Sequence, residues 1–494
     1  MMYGEEKSDS LIVAANLANN PQGAESVERR RGQGNAEQPH MRRTQSRESM
    51  SQRLSRVREA AKQRKKERFT ALFHLLTAEA LENAFLSLSR KAAAGVDGVR
   101  WKDYAENLKV NIADLHRRLH QGSYRAQPGR RHYIPKADGK QRPLGIASLE
   151  DKIVQYALVK ILNAVYENDF MGFSYGFRPG RSQHNALDAL ATGLVRTNVN
   201  WVLDADISQF FDKVSHEWLI RFIEHRIGDQ RVIRLIRKWL TAGTSEEGEW
   251  RASEEGTPQG AVISPLLANI YLHYVFDLWA HQWRRRHATG NVVMVRYADD
   301  IVIGFDKRID AQCFRIAMQR RLKEFGLTVH PKKTRLMEFG RFAAENRASR
   351  GKGKPETFNF LGFTHISGKD RSGRFMLIRK TRRDRMTATL KAIKDGLRKR
   401  WHYSIPEQGK WLRRVVQGYL NYHSVPGNYP MMRKFRIYVT DLWRRALRRR
   451  SQQDDTTWTK ANRLAAVWLP KVRVLHPWPV ERFTARHPRQ EPGA

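Results

Sequence analysis

A chain of 494 residues exceeds what one compact core holds and divides into two or three domains with tails. Lys and Arg number 90 against 50 Asp and Glu, and a net charge of +40 points to a polyanionic partner, phosphate backbones first among them. No apolar run approaches the ~18–20 residues of a spanning helix, no secretory signal is apparent from Met1 onward, and the single Cys313 excludes an intramolecular disulfide or a Cys-rich zinc site and suits a reducing compartment.

Residues 1–68 are polar and aperiodic, which predicts disorder apart from a basic helix over 52–68. A helical pattern begins near Phe69, GVDG at 95–98 makes a turn, and a helix follows from Trp101 to Leu119. HYIPKADGKQRPLGI, 132–146, reads as two short strands around an Asp138-Gly139 hairpin turn. Positions 150–170 and 215–225 read as helical, and WVLDADI at 201–207 as a strand. Over 265–285, Leu267, Ile270, Tyr271, Tyr274 and Leu278 share one face of an amphipathic helix. VVMVRYADDIVIGF, 292–305, reads as two β runs joined by a tight polar turn. Beyond Phe360 the period becomes helical: Met386, Leu390, Ile393 and Leu397; then Leu412, Val415, Val416 and Tyr419; then Phe435, Val439, Leu442 and Ala446. Their outward faces are dense in Arg and Lys, which predicts a basic all-helical domain.

The chemistry starts at YADD, Tyr297–Asp300. Two adjacent carboxylates between apolar strands repel each other unless a cation neutralises them, and oxygen-only ligands favour Mg²⁺. An isolated Asp-Asp pair is more often an ordinary polar turn. WVLDADISQFFD, 201–212, changes that balance, because it sets Asp206 at the end of a second apolar strand. Two-metal phosphoryl transfer needs carboxylates from different strands. On composition alone Asp204 competes with Asp206, its plainer reading being a partner for a nearby Lys or Arg. GTPQGAVISPLLANIYL, 256–272, sets a Gly/Pro/Gln loop before a long helix, where backbone can approach a nucleotide. Lys136, Lys140 and Arg142 on the first hairpin could clamp a triphosphate, although a charged surface hairpin is common. Lys332 and Lys333 read as solvated, and FLGF at 360–363 as a buried turn.

Strand Asp206, the PQG loop and helix, YADD, the Lys segment and FLGF, in this order, resemble the reverse transcriptase series. RPLG, GVDG and YGFRPGRS at 175–182 resemble group II intron reverse transcriptase–maturases in particular, and LNYHSVPGNYPMMRKF at 420–435 resembles that family's thumb or maturase region. The likeness runs from about Phe69 to near Arg486.

The resemblance implies an α+β right-hand polymerase. Fingers and palm with an antiparallel palm sheet would occupy 69–372, after a basic, mostly disordered 1–68. An all-α thumb/maturase domain would follow over 373–455, and then a basic segment 456–494 with a candidate DNA-binding role. It implies Asp206, Asp299 and Asp300 as the Mg²⁺-binding catalytic carboxylates. It implies Phe211 as the group that clashes with a ribonucleotide 2′-hydroxyl, Lys136 and Arg142 as triphosphate ligands, Gln259 and Gly260 beside base and template, and Tyr297 near the primer end. Arg444, Arg445, Arg448 and Arg449 are candidate RNA-binding residues on the basic helical face. Implied partners are the group II intron RNA, an RNA template with DNA primer, target DNA and dNTPs, with no membrane, in a bacterial cytoplasmic ribonucleoprotein. Long family members end in a Cys-paired endonuclease domain. With Cys313 alone and Ala494 last, this chain is expected to lack it and to take its primer from another source. The competing expectation is a reverse transcriptase recruited to another role such as phage defence.

Overall fold

The computed structural model describes residues 49–135, 141–450 and 456–486. The expected disorder over most of 1–68 falls outside these residues up to 48, as do Lys136, Lys140 and the Asp138-Gly139 turn. The basic N-terminal helix runs Met50–Gln63 and begins on a Ser49–Gln52 capping box. It stops short of Arg68, because buried Arg226 takes the carbonyls of Ala61 (3.0 Å), Arg64 (2.7 Å) and Glu67 while pairing with Asp169 at 2.8 Å. The helix expected over 101–119 breaks at Asn107 into Trp101–Glu106 and Leu108–His120.

The strands, in chain order, are β1 (Gly129–Pro135), β2 (Gln141–Ile146), β3 (Trp201–Asp206), β4 (Thr244–Glu246), β5 (Glu249–Arg251), β6 (Val292–Tyr297), β7 (Asp300–Phe305), β8 (Arg335–Glu338), β9 (Phe358–Phe360), β10 (Phe363–Lys369) and β11 (Phe375–Thr381). They form three sheets ordered β2-β1-β4-β5, β6-β7-β3-β8 and β11-β10-β9. The second sheet is antiparallel throughout, and its apolar residues Val202, Leu203, Val302 and Ile303 are fully buried between packed helices. In the first, β1 joins β4 in parallel, so the hairpin 244–251 extends the sheet. That hairpin was not anticipated: its strands are three residues each and mostly polar.

Helices surround these sheets, among them Leu149–Tyr166, Gln183–Arg196, His216–Arg226, Gln230–Thr241 and Arg308–Glu324. The helix expected over 265–285 is two α-helical pieces, Ser264–Leu272 and Leu278–Arg286, joined by a π-helical turn His273–Asp277. The wide turn shifts the helical register. The first piece is therefore buried nearly all round, while Leu278, expected on the buried face, is 38% exposed.

The three C-terminal helices run Arg383–Arg398, Ile405–His423 and Tyr429–Arg448 and bury Ile393, Leu412, Val416, Phe435, Val439 and Trp443 in a core of their own. β11 pairs with β10 along its whole length, so the boundary expected at 373 falls within a hairpin and the helical region begins at Arg383. Helix Trp458–Trp468 adds to this core. Helix Pro479–Arg486 instead folds back onto Gln183–Arg196, with Arg482 paired to Asp188 and Arg196 donating to Thr484 at 3.1 Å. His476 stacks on His184 at that joint, ring centroids 4.0 Å apart. Burial, followed by nearby cationic groups, drives His184 down to about 2, so its ring is neutral.

Candidate active site

β3 and β7, each buried along nearly its whole length, are neighbours in the sheet, and their register sets Asp206 directly opposite Asp300. Tyr297 pairs with Asp300 across β6 and β7, leaving Ala298 and Asp299 as the two central residues of the connecting turn. Asp206 and Asp299 are each 1% exposed, and Asp300 is less completely buried. The three carboxylates therefore share one corner of the central sheet. Asp204 is also buried and lies opposite Val302 and Arg335, farther into the sheet.

Lys333 was expected to be solvated. Its Nζ lies 3.4 Å from Asp206 Oδ2, because the segment after helix Arg308–Glu324 is drawn in by His330 N–H donating to the Asp206 carbonyl at 2.8 Å. Lys332 is exposed as expected. The Lys333 ammonium offsets part of the negative charge in the carboxylate corner.

The turn is held from outside the sheet. Ala298 has φ 53, a conformation costly for a residue with a Cβ. The YGFRPGRS loop lies against it: Tyr175 N–H donates to the Arg296 carbonyl and Arg296 N–H to the Phe173 carbonyl, each at 2.8 Å. Gly176 sits so close that a Cβ there would come 2.2 Å from the Ala298 nitrogen. Arg178, 3% exposed at its side chain, ties the loop down through Glu167 and the Met171 and Ser174 carbonyls. Phe177 (φ 58) and Gln209 (φ 47) are two more non-glycine residues in the left-handed region beside this corner. Tyr297, expected near the primer end, is 7% exposed and packs near Phe177 within the apolar core.

Phe211 lies on a 3₁₀ turn, Phe210–Asp212, that follows β3 after Ile207, Ser208 and Gln209, and is 9% exposed. The PQG loop docks on that turn: Thr257 N–H donates to the Phe211 carbonyl at 2.7 Å. It also docks on β2, where Gly145 N–H donates to the Gln259 carbonyl at 2.7 Å. Gly260 has φ 108 and approaches Gly145, whose carbonyl oxygen a Cβ would meet at 3.1 Å. The close approach expected of this glycine is thus made to a strand. Arg142 Nε donates to Gln259 Oε1 at 2.9 Å, and Gln259 Nε2 donates to Asp212 Oδ1 at 3.1 Å. Arg142, Gln259 and Asp212 are thus linked by hydrogen bonds, with Phe211 and Gly260 on the segments that carry them.

The four arginines at the end of helix Tyr429–Arg448 are not equivalent. Arg444 pairs with Asp441 at 2.9 Å and lies over Trp458, 4.9 Å from the ring centroid. Arg445 shares Asp441 at 2.7 Å but is 67% exposed, and Arg448 and Arg449 are exposed.

Among the described residues no group of three or more His, Cys, Asp and Glu side chains closes into a metal site. The donor chemistry still suits a Mg²⁺-like ion, which commonly takes one or two carboxylates together with substrate phosphates instead of a complete protein cage.

The model of the family "Reverse transcriptase (RNA-dependent DNA polymerase)" matches residues 134–365. Residues 134–365 are thus similar to a reverse transcriptase domain. The match runs from the end of β1 into β10 and includes Asp206, Asp299, Asp300, Arg142, Phe211 and Gln259. That similarity implies a right-hand polymerase fold, and the mixture of helices with a fully antiparallel central sheet agrees with it. The chain is 43% identical over 206 residues to Protein YkfC of Escherichia coli K12, covering 41% of this chain and 54% of that one. It is 37% identical over 223 residues to the group II intron-encoded protein LtrA of Lactococcus lactis, 44% of this chain and 37% of the relative. A putative COX1/OXI3 intron 1 protein of Saccharomyces cerevisiae is 26% identical over 393 residues, 66% and 46% of the two chains. The chain thus spans about half or less of these relatives' lengths. The resemblance to group II intron reverse transcriptase–maturases read from the motif order is borne out by these matches.

Proposed function

We propose that this chain is the RNA-directed DNA polymerase of a group II intron, which also binds its intron RNA to assist splicing and supports intron mobility. The observation that carries the polymerase reading is the register that sets Asp206 opposite Asp300 beside the turn residue Asp299. Mg²⁺ ions held by these carboxylates would supply charge stabilisation to the primer 3′-oxygen and the pyrophosphate leaving group.

The chain's own residues supply position and selection. Phe211, Gln259 and Arg142, joined through Asp212 and the PQG loop, would border the space beside Asp206 where a nucleotide would lie. There Phe211 would exclude a 2′-hydroxyl, and Arg142 with Lys136 would bind the triphosphate. Gln259, held between Arg142 and Asp212, would contact the base or template. The basic helices after Arg383 offer Arg445, Arg448 and Arg449 to folded RNA. The partners are intron RNA, a primed RNA template, dNTPs and target DNA, in a bacterial cytoplasmic ribonucleoprotein. Relatives named as intron-encoded proteins favour this reading over recruitment to phage defence.

The test is primer extension on an RNA template. Asp206→Asn and Asp299→Asn remove a ligand charge with little change of shape. Each is expected to lower DNA synthesis by on the order of a hundredfold or more, while RNA binding persists. Extension at near wild-type rate by either variant would refute the assignment.

A further inference from the structure

Arg296 and Asp277 form an ion pair in which both side chains are 0% exposed. Arg296 Nε donates to Asp277 Oδ1 at 2.7 Å and one terminal nitrogen to Oδ2 at 2.6 Å. The same nitrogen donates to Ser174 Oγ at 2.7 Å. The other donates to Asn269 Oδ1 at 3.1 Å and to the carbonyl of Ala298 at 2.9 Å. All five N–H groups of the guanidinium are thereby used. Asn269 in turn donates through Nδ2 to the Gly176 carbonyl at 2.7 Å.

A buried pair of this kind is a weak source of stability, since an apolar pair of the same volume often serves as well. Its placement is specific, however. Asp277 is the last residue of the π-helical turn, a local irregularity that helices seldom keep without a reason. The Ala298 carbonyl belongs to the peptide that leads into Asp299, in a turn whose first central residue stands at φ 53. Fixing that carbonyl fixes the peptide plane, and with it the directions in which Asp299 and Asp300 leave the backbone.

We propose that Arg296, oriented by Asp277 and braced by Asn269 and Ser174, is a positioning residue that sets the Asp299 and Asp300 carboxylates for divalent-ion binding. The inference rests on the polymerase reading above. Lysine cannot replace arginine here, because three donors on a single nitrogen cannot reach five acceptor atoms spread over four residues.

The experiment compares full-length wild type, Arg296→Lys and Asp277→Asn. Mn²⁺ binding is read as loss of the free-ion paramagnetic resonance signal, with a dideoxy-terminated primer on an RNA template so that no turnover occurs. Melting temperature and the Mg²⁺ dependence of primer extension are measured on the same preparations. Folded Arg296→Lys is expected to bind Mn²⁺ about tenfold or more weakly, as loss of a support behind a metal ligand usually does. kcat should fall in parallel, with the KM for dNTP little changed and partial recovery at raised Mg²⁺. If Arg296→Lys does not fold, Ser174→Ala removes one acceptor of the same guanidinium and is expected to give a smaller loss in the same direction. Wild-type Mn²⁺ affinity in whichever variant folds overturns the proposal and leaves the network a scaffold. If wild type binds Mn²⁺ but makes no DNA, the polymerase reading fails, while the comparison of Mn²⁺ affinities still decides the positioning role.

Discussion

Phe211 has a side chain packed in the core and a main-chain carbonyl that holds the PQG loop, and under the proposed function its ring borders the nucleotide site. Truncating it to alanine leaves the carbonyl bond intact and opens volume where a ribose 2′-hydroxyl would lie. Phe211→Ala should raise the ratio of NTP to dNTP incorporation by on the order of tenfold or more, the scale on which packing discriminates small groups. The check is competitive incorporation on one primed RNA template, and an unchanged ratio would assign selection to another residue. Lys333 shows how far a single residue's fate depends on its surroundings. Its sequence neighbourhood is that of a solvated lysine, and a main-chain bond from His330 to Asp206 draws it into the carboxylate corner.

At the scale of elements, the YGFRPGRS loop is a brace for the turn that carries Asp299. Gly176 is the tightest point, with the Ala298 nitrogen 2.2 Å from where a Cβ would be. Backbone cannot yield as a flexible side chain does, so Gly176→Ala should displace the turn. The expected cost is about 1–3 kcal/mol of stability, seen as a lowered melting temperature, together with a larger proportional loss of primer extension. Gly172 lies in the loop just before this motif and has no atom within 4 Å of its would-be Cβ, so Gly172→Ala should change neither quantity. Equal effects from the two substitutions would remove the brace from the account of the site. The π-helical turn belongs to the same scale, since it brings Asp277 to Arg296 while leaving Leu278 exposed.

Across the whole molecule the net charge of +40 sets the long-range field, but the local pairing decides which cations remain available to RNA. Arg445, Arg448 and Arg449 face solvent, whereas Arg444 is engaged with Asp441 and Trp458. Neutralising the three exposed arginines should weaken binding to structured RNA and flatten its salt dependence, by roughly 0.7–0.9 in slope for each phosphate no longer neutralised. Arg444→Gln should instead lower the melting temperature and leave the slope near wild type. Filter binding across a salt series separates the two, and identical slopes for wild type and the triple variant would make that helix face an ordinary solvated one. Residues 456–486, a candidate for DNA contact, are largely occupied within the protein: one helix completes the core of the C-terminal helices, and the next is pinned to Gln183–Arg196 through Arg482 and Asp188.

Short-range pattern was enough to read the strands at 201–206, 292–297 and 300–305, the tight turn between the last two, and the three C-terminal helices. In each, apolar spacing matches the period of the element, and that information is local. The order of the motifs and the basic composition likewise pointed to a polymerase acting on nucleic acid before any fold was known. What the sequence did not reveal depends on segments that meet only after folding. The hairpin 244–251 has no apolar alternation and exists because β4 finds β1. The break in the 264–286 helix follows from the demands of a buried arginine on another strand. Arg296, close to two aspartates in the chain, is shielded from water only because Ser174, Asn269 and Asp277 converge on it from three other elements. Hydrophobic period is set by each residue's nearest neighbours along the chain, whereas register, ion pairing and burial of a charge are set by partners that only tertiary packing supplies.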